Sequence, residues 1–244
     1  MARHPDSTAA TETLAEIESV FDRLAGAVTA NPARFFGVVG VVLAAAAGVG
    51  LVQWSNARAE AEASTAVARV EADFRKAMGA APGSVEIPEP ANPEMGRQAR
   101  LETVEGYLEV AAEHSGTVSA VRALLAAGNL QAEAGELDEA IETWRRAAAG
   151  AGRSAVLRGL ILSRLGSGLE SAERWAEAGE AHAEAAEIED LPTRYFAMAD
   201  AARCFAEAED RPRAQALYDR LEEESPGLEL PEHVRAQLAG LGAL

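Results

Sequence analysis

The sequence predicts an all-α protein: a single N-terminal transmembrane helix continues into a stalk helix, and an α-solenoid of helical hairpins follows. Three observations lead to this fold class. Of the 244 residues, 48% are hydrophobic but only 5% are aromatic, and most of the apolar residues are Ala, Leu and Val. Residues 35–54 carry no ionisable side chain, and residues 128–221 contain a helical repeat with spacings of 38 and 36 residues.

The net charge of −17 is unevenly distributed and argues against one class of partner. Residues 1–34 contain three basic and five acidic side chains, and residues 35–54 contain neither. Residues 55–244 contain nineteen basic and thirty-four acidic side chains, a surplus of fifteen negative charges. A domain with this charge repels the phosphates of nucleic acid, so we expect no nucleic-acid partner.

Residues 1–34 are predicted to form an N-terminal tail that contains one short amphipathic helix. The apolar side chains of this helix recur at helical spacing: Leu14, Ile17, Val20, Leu24 and Val28. The pair Asn31-Pro32 then marks a break before the next helix.

The uncharged stretch FFGVVGVVLAAAAGVGLVQW, residues 35–54, has three competing interpretations. They are a buried helix of a soluble core, the apolar part of a cleaved secretion signal, and a permanent membrane span. Twenty helical residues reach about 30 Å, the thickness of bilayer hydrocarbon, and a core helix seldom runs so far without a polar position. The 34-residue head and the length of the apolar run are both untypical of a cleaved signal.

The two ends of this stretch favour the membrane span. Phe35, Phe36 and Trp54 lie at its edges, where aromatic rings prefer the headgroup layer of a bilayer. We therefore predict that residues 35–54 form a retained transmembrane helix in contact with the lipid bilayer.

The charges that flank the predicted span leave its orientation open. The twenty residues before it contain Arg23 and Arg34, and the twenty residues after it contain Arg58 and Arg69. Because the positive-inside rule compares these two numbers, a tie gives no preference.

Gly40, Ala44 and Gly48 form one small-residue face of the predicted span. Such a face lets another transmembrane helix approach closely, so these residues are a candidate packing site for a partner helix or a second copy. The alternative interpretation is the ordinary abundance of Gly and Ala in membrane helices.

A helical stalk is predicted at residues 55–78, because this segment contains neither Gly nor Pro. Its apolar stripe consists of Val67, Val70, Phe74 and Met78. The stripe is too short for a coiled coil, so we expect it to pack on the folded domain. Residues 79–97 are predicted to be a linker, since four prolines and two early glycines disfavour a helix there.

Three segments within residues 98–244 align with one another in their small and aromatic positions. The segments are 128–147, 166–185 and 202–221. The shared positions are a small residue (Gly128, Gly166, Ala202), an alanine in the next helix (Ala140, Ala178, Ala214) and a ring one turn later (Trp144, His182, Tyr218). Each segment is therefore predicted to form a helical hairpin in which the ring fills the gap beside the small residue.

This pattern resembles the tetratricopeptide repeat, a 34-residue helical hairpin that stacks into an α-solenoid. The resemblance implies about three degenerate hairpins with longer loops between them. Apolar spacing predicts two further helices, at 98–113 and 231–242, which would supply a leading half-repeat and a terminal cap. The second hairpin departs from the repeat, because Glu173 stands at the turn where glycine is usual and His182 stands in the aromatic position.

The order of tail, span, stalk and repeats is similar to that of the YfgM-like family, membrane-anchored ancillary subunits of the bacterial Sec translocon. The similarity covers almost the whole chain in organisation. It implies a single-pass protein of the inner membrane, with residues 1–34 in the cytoplasm and residues 98–244 in the periplasm. It also implies protein partners, namely translocon subunits, envelope chaperones or unfolded exported chains.

The sequence contains no arrangement of reactive side chains that indicates catalysis, so we expect a non-enzymatic protein without a metal or cofactor. Cys204 is the only cysteine and is interpreted as a packing residue. The four histidines are scattered, and the H-x-E spacing at His182 lacks the paired cysteines of zinc deaminases. Acidic clusters are interpreted as solvated helix faces, with a weak calcium site as the alternative.

The inner face of a stacked hairpin array is lined by the first helix of each hairpin and accommodates peptides or partner helices. The repeat register places seven candidate partner-binding residues on this face: Arg122, Asn129, Ser163, Ser167, Tyr195, Phe196 and Arg203. Ordinary solvent exposure is the alternative interpretation of each one. Asn129 and Arg203 match part of the carboxylate clamp of some tetratricopeptide domains, but its lysines are absent, so that ligand is not predicted.

These observations predict a membrane-anchored module for protein–protein interaction that presents a periplasmic tetratricopeptide domain, with a role in protein export or envelope protein folding. Two alternatives stay open at this point. One is a soluble periplasmic chaperone or assembly factor released by signal cleavage, and the other is a self-associating envelope scaffold.

Overall fold

The computed structural model describes residues 31–152 and 154–240, without the side chain of His233. Within these residues the chain forms nine α-helices and no β-strand, which confirms the predicted all-α class. The amphipathic helix predicted within residues 1–34 lies outside the described residues. The chain divides into two compact units, one that ends at Ala57 and one that begins at Arg58.

The helices are numbered in chain order. They are α1 (Pro32–Ala77), α2 (Pro93–Glu113), α3 (Val118–Glu133), α4 (Leu137–Gly150), α5 (Ala155–Ser171), α6 (Trp175–Ala186), α7 (Arg194–Glu207), α8 (Arg211–Glu224) and α9 (Glu232–Leu238). Each helix from α2 to α7 contacts the next one along the chain. Three-residue turns join α3 to α4, α5 to α6 and α7 to α8, so the two helices of each pair run antiparallel.

The part of α1 in the first unit has an apolar surface that the chain does not cover. The helix is long enough and apolar enough to span a membrane, and no residue of its most apolar 18-residue window is buried. Leu43 and Trp54 are among its exposed side chains. No heavy atom lies within 4 Å of a Cβ built on Gly40 or Gly48, and Ala44 is exposed. The predicted small-residue face therefore has no partner within the described part of the chain.

The helix α2 begins five residues earlier than the helix predicted at 98–113, and the linker predicted at 79–97 is correspondingly shorter. The Asn92 side chain caps this helix by accepting a hydrogen bond from the Glu94 N–H at 3.1 Å. Pro93 fits the first helical position, where no N–H is needed. The proline that was expected to prevent a helix thus starts one.

In the second unit, residues 58–77 of α1 pack on the folded domain, as the stalk stripe predicts. Val67, Val70 and Phe74 contact a hydrophobic cluster built by α2 and α3. A Cβ on Gly106 of α2 would lie 3.3 Å from Val70 Cγ1, so the two helices approach closely at this point. The buried members of the cluster are Val104, Tyr107, Val110, Ala111, Ala123, Ala127 and Leu130.

Glu60 of α1 binds the N-terminus of α3. Its carboxylate accepts hydrogen bonds from the Val118 N–H at 2.7 Å, the Ser119 N–H at 2.9 Å and the Ser119 hydroxyl at 2.6 Å. Burial raises the pKa of Glu60, but these hydrogen bonds and the charge of Arg122 lower it by more, so this pKa lies below its ordinary value. A carboxylate at this position is also favoured by the helix dipole.

Small residues and rings meet at the crossings of the first two hairpins, as the repeat alignment predicts. A Cβ on Gly128 would lie 2.5 Å from Trp144 Nε1, and a Cβ on Gly166 would overlap the His182 ring. Each ring therefore occupies the space that a side chain on the glycine would need. The corresponding Ala202 of the third hairpin is fully buried.

A large hydrophobic core extends from α3 to α9 through these crossings. Its fully buried large side chains are Ile141, Ile161, Leu169, Leu191, Met198, Leu221 and Leu238. The short helix α9 contacts α7 and covers the end of this core with Val234 and Leu238, which is the position expected of a cap.

The three hairpin turns share one backbone conformation. A residue with positive φ stands at the same place in each: Gly135 at 88°, Glu173 at 56° and Glu209 at 60°. The N–H of the following residue donates to the carbonyl five positions back: Glu136 to Gln131 at 2.8 Å, Arg174 to Leu169 at 2.9 Å and Asp210 to Phe205 at 2.8 Å. Glycine adopts this backbone readily, whereas glutamate is strained in it.

We predict opposite effects for two substitutions at these turns. Gly135→Ala is expected to lower the free energy of unfolding by about 1 kcal/mol, because alanine is disfavoured at positive φ. Glu173→Gly is expected to raise it by about 0.5 kcal/mol, since relief of strain exceeds the entropy cost of glycine. Chemical denaturation of the detergent-solubilised protein, followed by circular dichroism, measures both values. Equal destabilisation by the two changes would contradict the shared turn geometry.

We also predict that Glu60→Gln destabilises the packing of α1 on α3. The expected loss is about 1 to 2 kcal/mol, because the hydrogen bonds to an ionised carboxylate at a helix N-terminus are weakened. Glu62→Gln is the matched control on the same helix, since Glu62 is exposed and its one ion pair among the described residues is with Arg58, one turn earlier. Denaturation of the two variants under identical conditions should separate them, and equal stabilities would show that the Glu60 contact contributes nothing.

Candidate functional site

The largest group of predicted partner-binding residues meets in one cavity between α5 and α7. The cavity has a volume of about 330 Å³. It is lined by Leu160, Ser163, Arg164, Ser167, Thr193, Phe196, Ala197 and Asp200. Three of the seven residues expected on the inner face, namely Ser163, Ser167 and Phe196, are therefore brought together here.

A second cavity shares Phe196 with the first one. Its volume is about 680 Å³, and Gly227–Pro231 and Arg235 complete its lining. Phe196 belongs to both cavities, and 40% of its surface is exposed. We call the two cavities together the Phe196 groove. An exposed aromatic ring at the centre of such a groove is the kind of side chain that anchors protein partners.

The wall that α5 contributes to the Phe196 groove has a defined polarity. The Ser163 hydroxyl donates to the Gly159 carbonyl and the Ser167 hydroxyl donates to the Ser163 carbonyl, both at 3.0 Å. Because these protons are used within the helix, the hydroxyl oxygens are left as acceptors. Arg164 is exposed and makes no hydrogen bond or ion pair with any described residue.

The other predicted residues lie outside the Phe196 groove. Arg122 is exposed and interacts electrostatically with Glu60. Asn129 is half-buried, and its Oδ1 has no hydrogen-bond partner among the described residues. Tyr195 packs against the hydrophobic core, with Arg194 Cζ 4.9 Å from its ring centroid.

Arg203 differs most from its expected place on the inner face, because it is only 8% exposed. Its Nη2 donates to Glu170 Oε2 at 2.6 Å and lies 3.4 Å from Asp200 Oδ1. The partner that draws this guanidinium inward is 33 residues away along the chain. Asp200 connects this buried pair to the Phe196 groove, since it lines the first cavity.

Glu170 is the centre of a buried polar cluster that joins three helices. It lies on α5, and its Oε1 accepts a hydrogen bond from His182 Nε2 of α6 at 2.8 Å. Its other oxygen accepts from Arg203 of α7. His182 is 2% exposed and Cys204 is fully buried, so both side chains pack inside the array as the sequence predicts.

The charge states within this cluster follow from its contacts. Burial raises the pKa of Glu170, but the hydrogen bonds from His182 and Arg203 lower it by more, to about 2. Burial and the adjacent Glu170 raise the pKa of the Cys204 thiol well above its ordinary value. At neutral pH the carboxylate is therefore ionised and the thiol is protonated.

The same residues have the composition of a metal site, and the electrostatics decide between the two interpretations. Ligand atoms of Glu170, His182 and Cys204 lie within 4.8 Å of one another, a donor set that zinc accepts. Both carboxylate oxygens, however, are already bonded to the donors of His182 and Arg203. A metal would have to displace a proton from the buried thiol and lie close to a guanidinium. We therefore assign the cluster as an ion-pair network that holds α5, α6 and α7 together.

Several residues of these sites could not be singled out from the sequence. Leu160 lies three residues before Ser163, and Arg164 lies three residues before Ser167, so the four side chains share one face of α5. This spacing could have been used to predict Leu160 and Arg164 from the sequence. Asp200 follows Phe196 by one turn in the same way. Glu170 carries no comparable signal, because its partners are distant in the sequence.

No family model, curated protein or solved structure matches this chain.

We predict that Glu170→Gln lowers the free energy of unfolding by about 3 kcal/mol at neutral pH, because Arg203 is left buried without an anion. The low pKa of Glu170 stabilises the folded state above the ordinary carboxyl range, and this contribution is lost as the pH falls from about 4.5 to about 2. The variant should therefore lose less stability than the parent over that interval. Chemical denaturation at a series of pH values measures both effects.

Glu222→Gln is the matched control for this prediction, since Glu222 is an exposed glutamate on α8. It should leave the unfolding free energy within about 0.5 kcal/mol of the parent. A parallel pH dependence for the parent and Glu170→Gln would show that Glu170 is not the group responsible.

Proposed function

We propose that this chain is a non-enzymatic, single-pass protein of the bacterial inner membrane that binds other proteins through a periplasmic tetratricopeptide-type domain. In this proposal residues 1–34 face the cytoplasm, and the protein serves as an ancillary factor of protein export or envelope protein folding at the Sec translocon. The observation that carries the proposal is the covalent continuity of an uncovered apolar helix with a helical domain that has an exposed aromatic groove.

Membrane anchoring is supported by the uncovered apolar surface of α1. Its apolar window is unburied in the chain, and such a surface is unfavourable in water. Hydrocarbon accepts a helix whose backbone groups are all hydrogen-bonded internally and whose side chains are uncharged over about 30 Å. Orientation with the helical domain in the periplasm rests on the resemblance in domain order.

An α-solenoid of tetratricopeptide-type hairpins is supported by three features that recur in register. These are the antiparallel pairs joined by three-residue turns, the positive φ at one turn position of all three hairpins, and the contact between a glycine and a ring at the crossing of the first two. Sequential contacts between neighbouring helices are typical of a stacked array. The Phe196 groove then lies between the first helices of two successive hairpins.

A binding role rather than a catalytic one is supported by the ionisation and hydrogen bonding of the titratable side chains. Glu170, whose pKa is lowered to about 2, is held ionised inside the array by one hydrogen bond to each of its oxygens. The exposed groove instead offers an aromatic anchor, hydroxyl acceptors and Arg164, which pairs with no described residue. Such a mixture of apolar and polar groups suits recognition of a polypeptide.

The topology is tested by adding protease to intact spheroplasts. We expect residues 98–244 to be degraded while a cytoplasmic marker protein survives, because the helical domain faces the periplasm. Protection of residues 98–244 under these conditions, with degradation only after lysis, would contradict the proposed orientation.

The partners are tested by photocrosslinking in living cells. A crosslinking amino acid at Phe196 should capture envelope chaperones or exported chains, and one at Gly40 or Gly48 should capture a translocon subunit. The control position is Glu139, which is exposed on α4 and lies outside the groove. Capture of a second copy alone at Gly40 and Gly48 would favour a self-associating scaffold, and equal capture at Phe196 and Glu139 would argue against the groove.

A further inference from the structure

The Phe196 groove has an apolar centre that is large enough to receive a side chain. Phe196 lines both cavities, and Leu160, which is 48% exposed, lines the first cavity with it. A cavity of about 330 Å³ exceeds the volume of any single apolar side chain. Burying an aliphatic or aromatic side chain against these two residues removes apolar surface of both partners from water.

One wall of the groove has unused hydrogen-bonding groups of the main chain. The segment Gly227–Pro231 lies outside the helices α8 and α9. The N–H groups of Glu229 and Leu230 make no hydrogen bond with any described residue, whereas the Leu230 carbonyl accepts from Arg235 Nη2 at 2.9 Å. Unpaired main-chain groups beside an apolar anchor favour an extended ligand, because its own main chain satisfies them.

The charge around this wall is negative and has a free carboxylate. Residues 200–235 contain ten acidic and five basic side chains. One of the basic residues, Arg235, lines the second cavity itself, and its guanidinium donates to the Leu230 carbonyl. Three others form ion pairs: Arg203, Arg213 and Arg220. Glu229, which lines the second cavity, is exposed and pairs with no described residue. A basic side chain on the ligand would therefore be attracted to this end of the groove.

We infer that the Phe196 groove binds an extended segment of polypeptide in which a large apolar side chain is followed by basic residues. The apolar side chain contacts Phe196 and Leu160, the main chain pairs with the segment Gly227–Pro231, and the basic residues face Glu229. This inference rests on the proposed function and adds the chemistry of the ligand. Arg164 lines the first cavity, so an acidic or C-terminal group of the ligand would pair with its guanidinium.

The inference is tested with the full-length protein in nanodiscs and a fluorescein-labelled flexible peptide of Gly and Ser that contains one Leu followed by two Lys. Fluorescence anisotropy should give saturable binding. Replacing the Leu by Ala should weaken binding about tenfold, since it removes the apolar anchor. Replacing both Lys by Glu should weaken it by at least about threefold at low salt, and the difference should shrink as salt is added.

Variants of the protein identify the surface that binds. Phe196→Ser and Leu160→Ser should each weaken binding of the Leu-Lys peptide about tenfold. Val156→Ser is the matched control, because Val156 is also exposed on α5 but lines neither cavity, and it should bind like the parent. Glu229→Lys should reverse the preference between the Lys and Glu peptides. Circular dichroism of each variant checks that the helices are intact.

Three results would overturn the inference. They are equal or tighter binding of the Glu peptide to the parent, equal effects of Phe196→Ser and Val156→Ser, and tighter binding of a helix-stapled peptide of the same composition. Crosslinking at Phe196 in cells without peptide binding would reject this ligand chemistry alone. Absence of crosslinking above the Glu139 control would reject the proposed function itself, whatever the peptide does.

Discussion

The apolar surface of α1 is the constraint on which the rest of the account depends. Twenty consecutive residues without an ionisable group form a helix, and the chain buries none of the most apolar window. A soluble protein would cover such a surface with other helices, because its exposure to water is unfavourable. Hydrocarbon is the solvent that removes this cost without a protein partner, which is why we propose membrane anchoring.

The helical domain is held together by contacts that also determine the shape of its groove. Glu170 joins α5, α6 and α7, and it follows Ser167 of the groove wall by three residues. Arg203 similarly follows Asp200, which lines the same cavity. The buried network therefore links α5 and α7, the two helices that line the first cavity of the groove.

The sequence predicted those parts of the fold that repeat locally. Helix content, the three hairpins, the ring at the crossing of the first two hairpins and the stripe of the stalk all follow from spacings within a few turns, as at Gly128 and Trp144. The start of α2 was missed because Pro93 was interpreted as a breaker instead of a first helical residue. The contacts of Glu60 with Ser119 and of Glu170 with Arg203 could not be predicted, since nothing local relates residues 59 or 33 positions apart.

The residues of the candidate site that follow the repeat register could also be predicted from the sequence, because that register depends on local spacing. Repeat register placed Ser163, Ser167 and Phe196 on one face, and they line one cavity. The same register placed Arg203 on that face, but its buried pairing with Glu170 overrides the register. The segment Gly227–Pro231 follows the last hairpin and belongs to no repeat, so no periodic pattern indicates that it borders the groove.

The measurement that tests the central claim most directly is alkaline carbonate extraction of native membranes, followed by mass spectrometry of the intact protein. The account predicts that the chain stays in the membrane fraction and that its mass includes residues 35–54. A protein recovered in the soluble fraction with residues 35–54 intact would contradict it, and so would a mature chain that begins after Trp54.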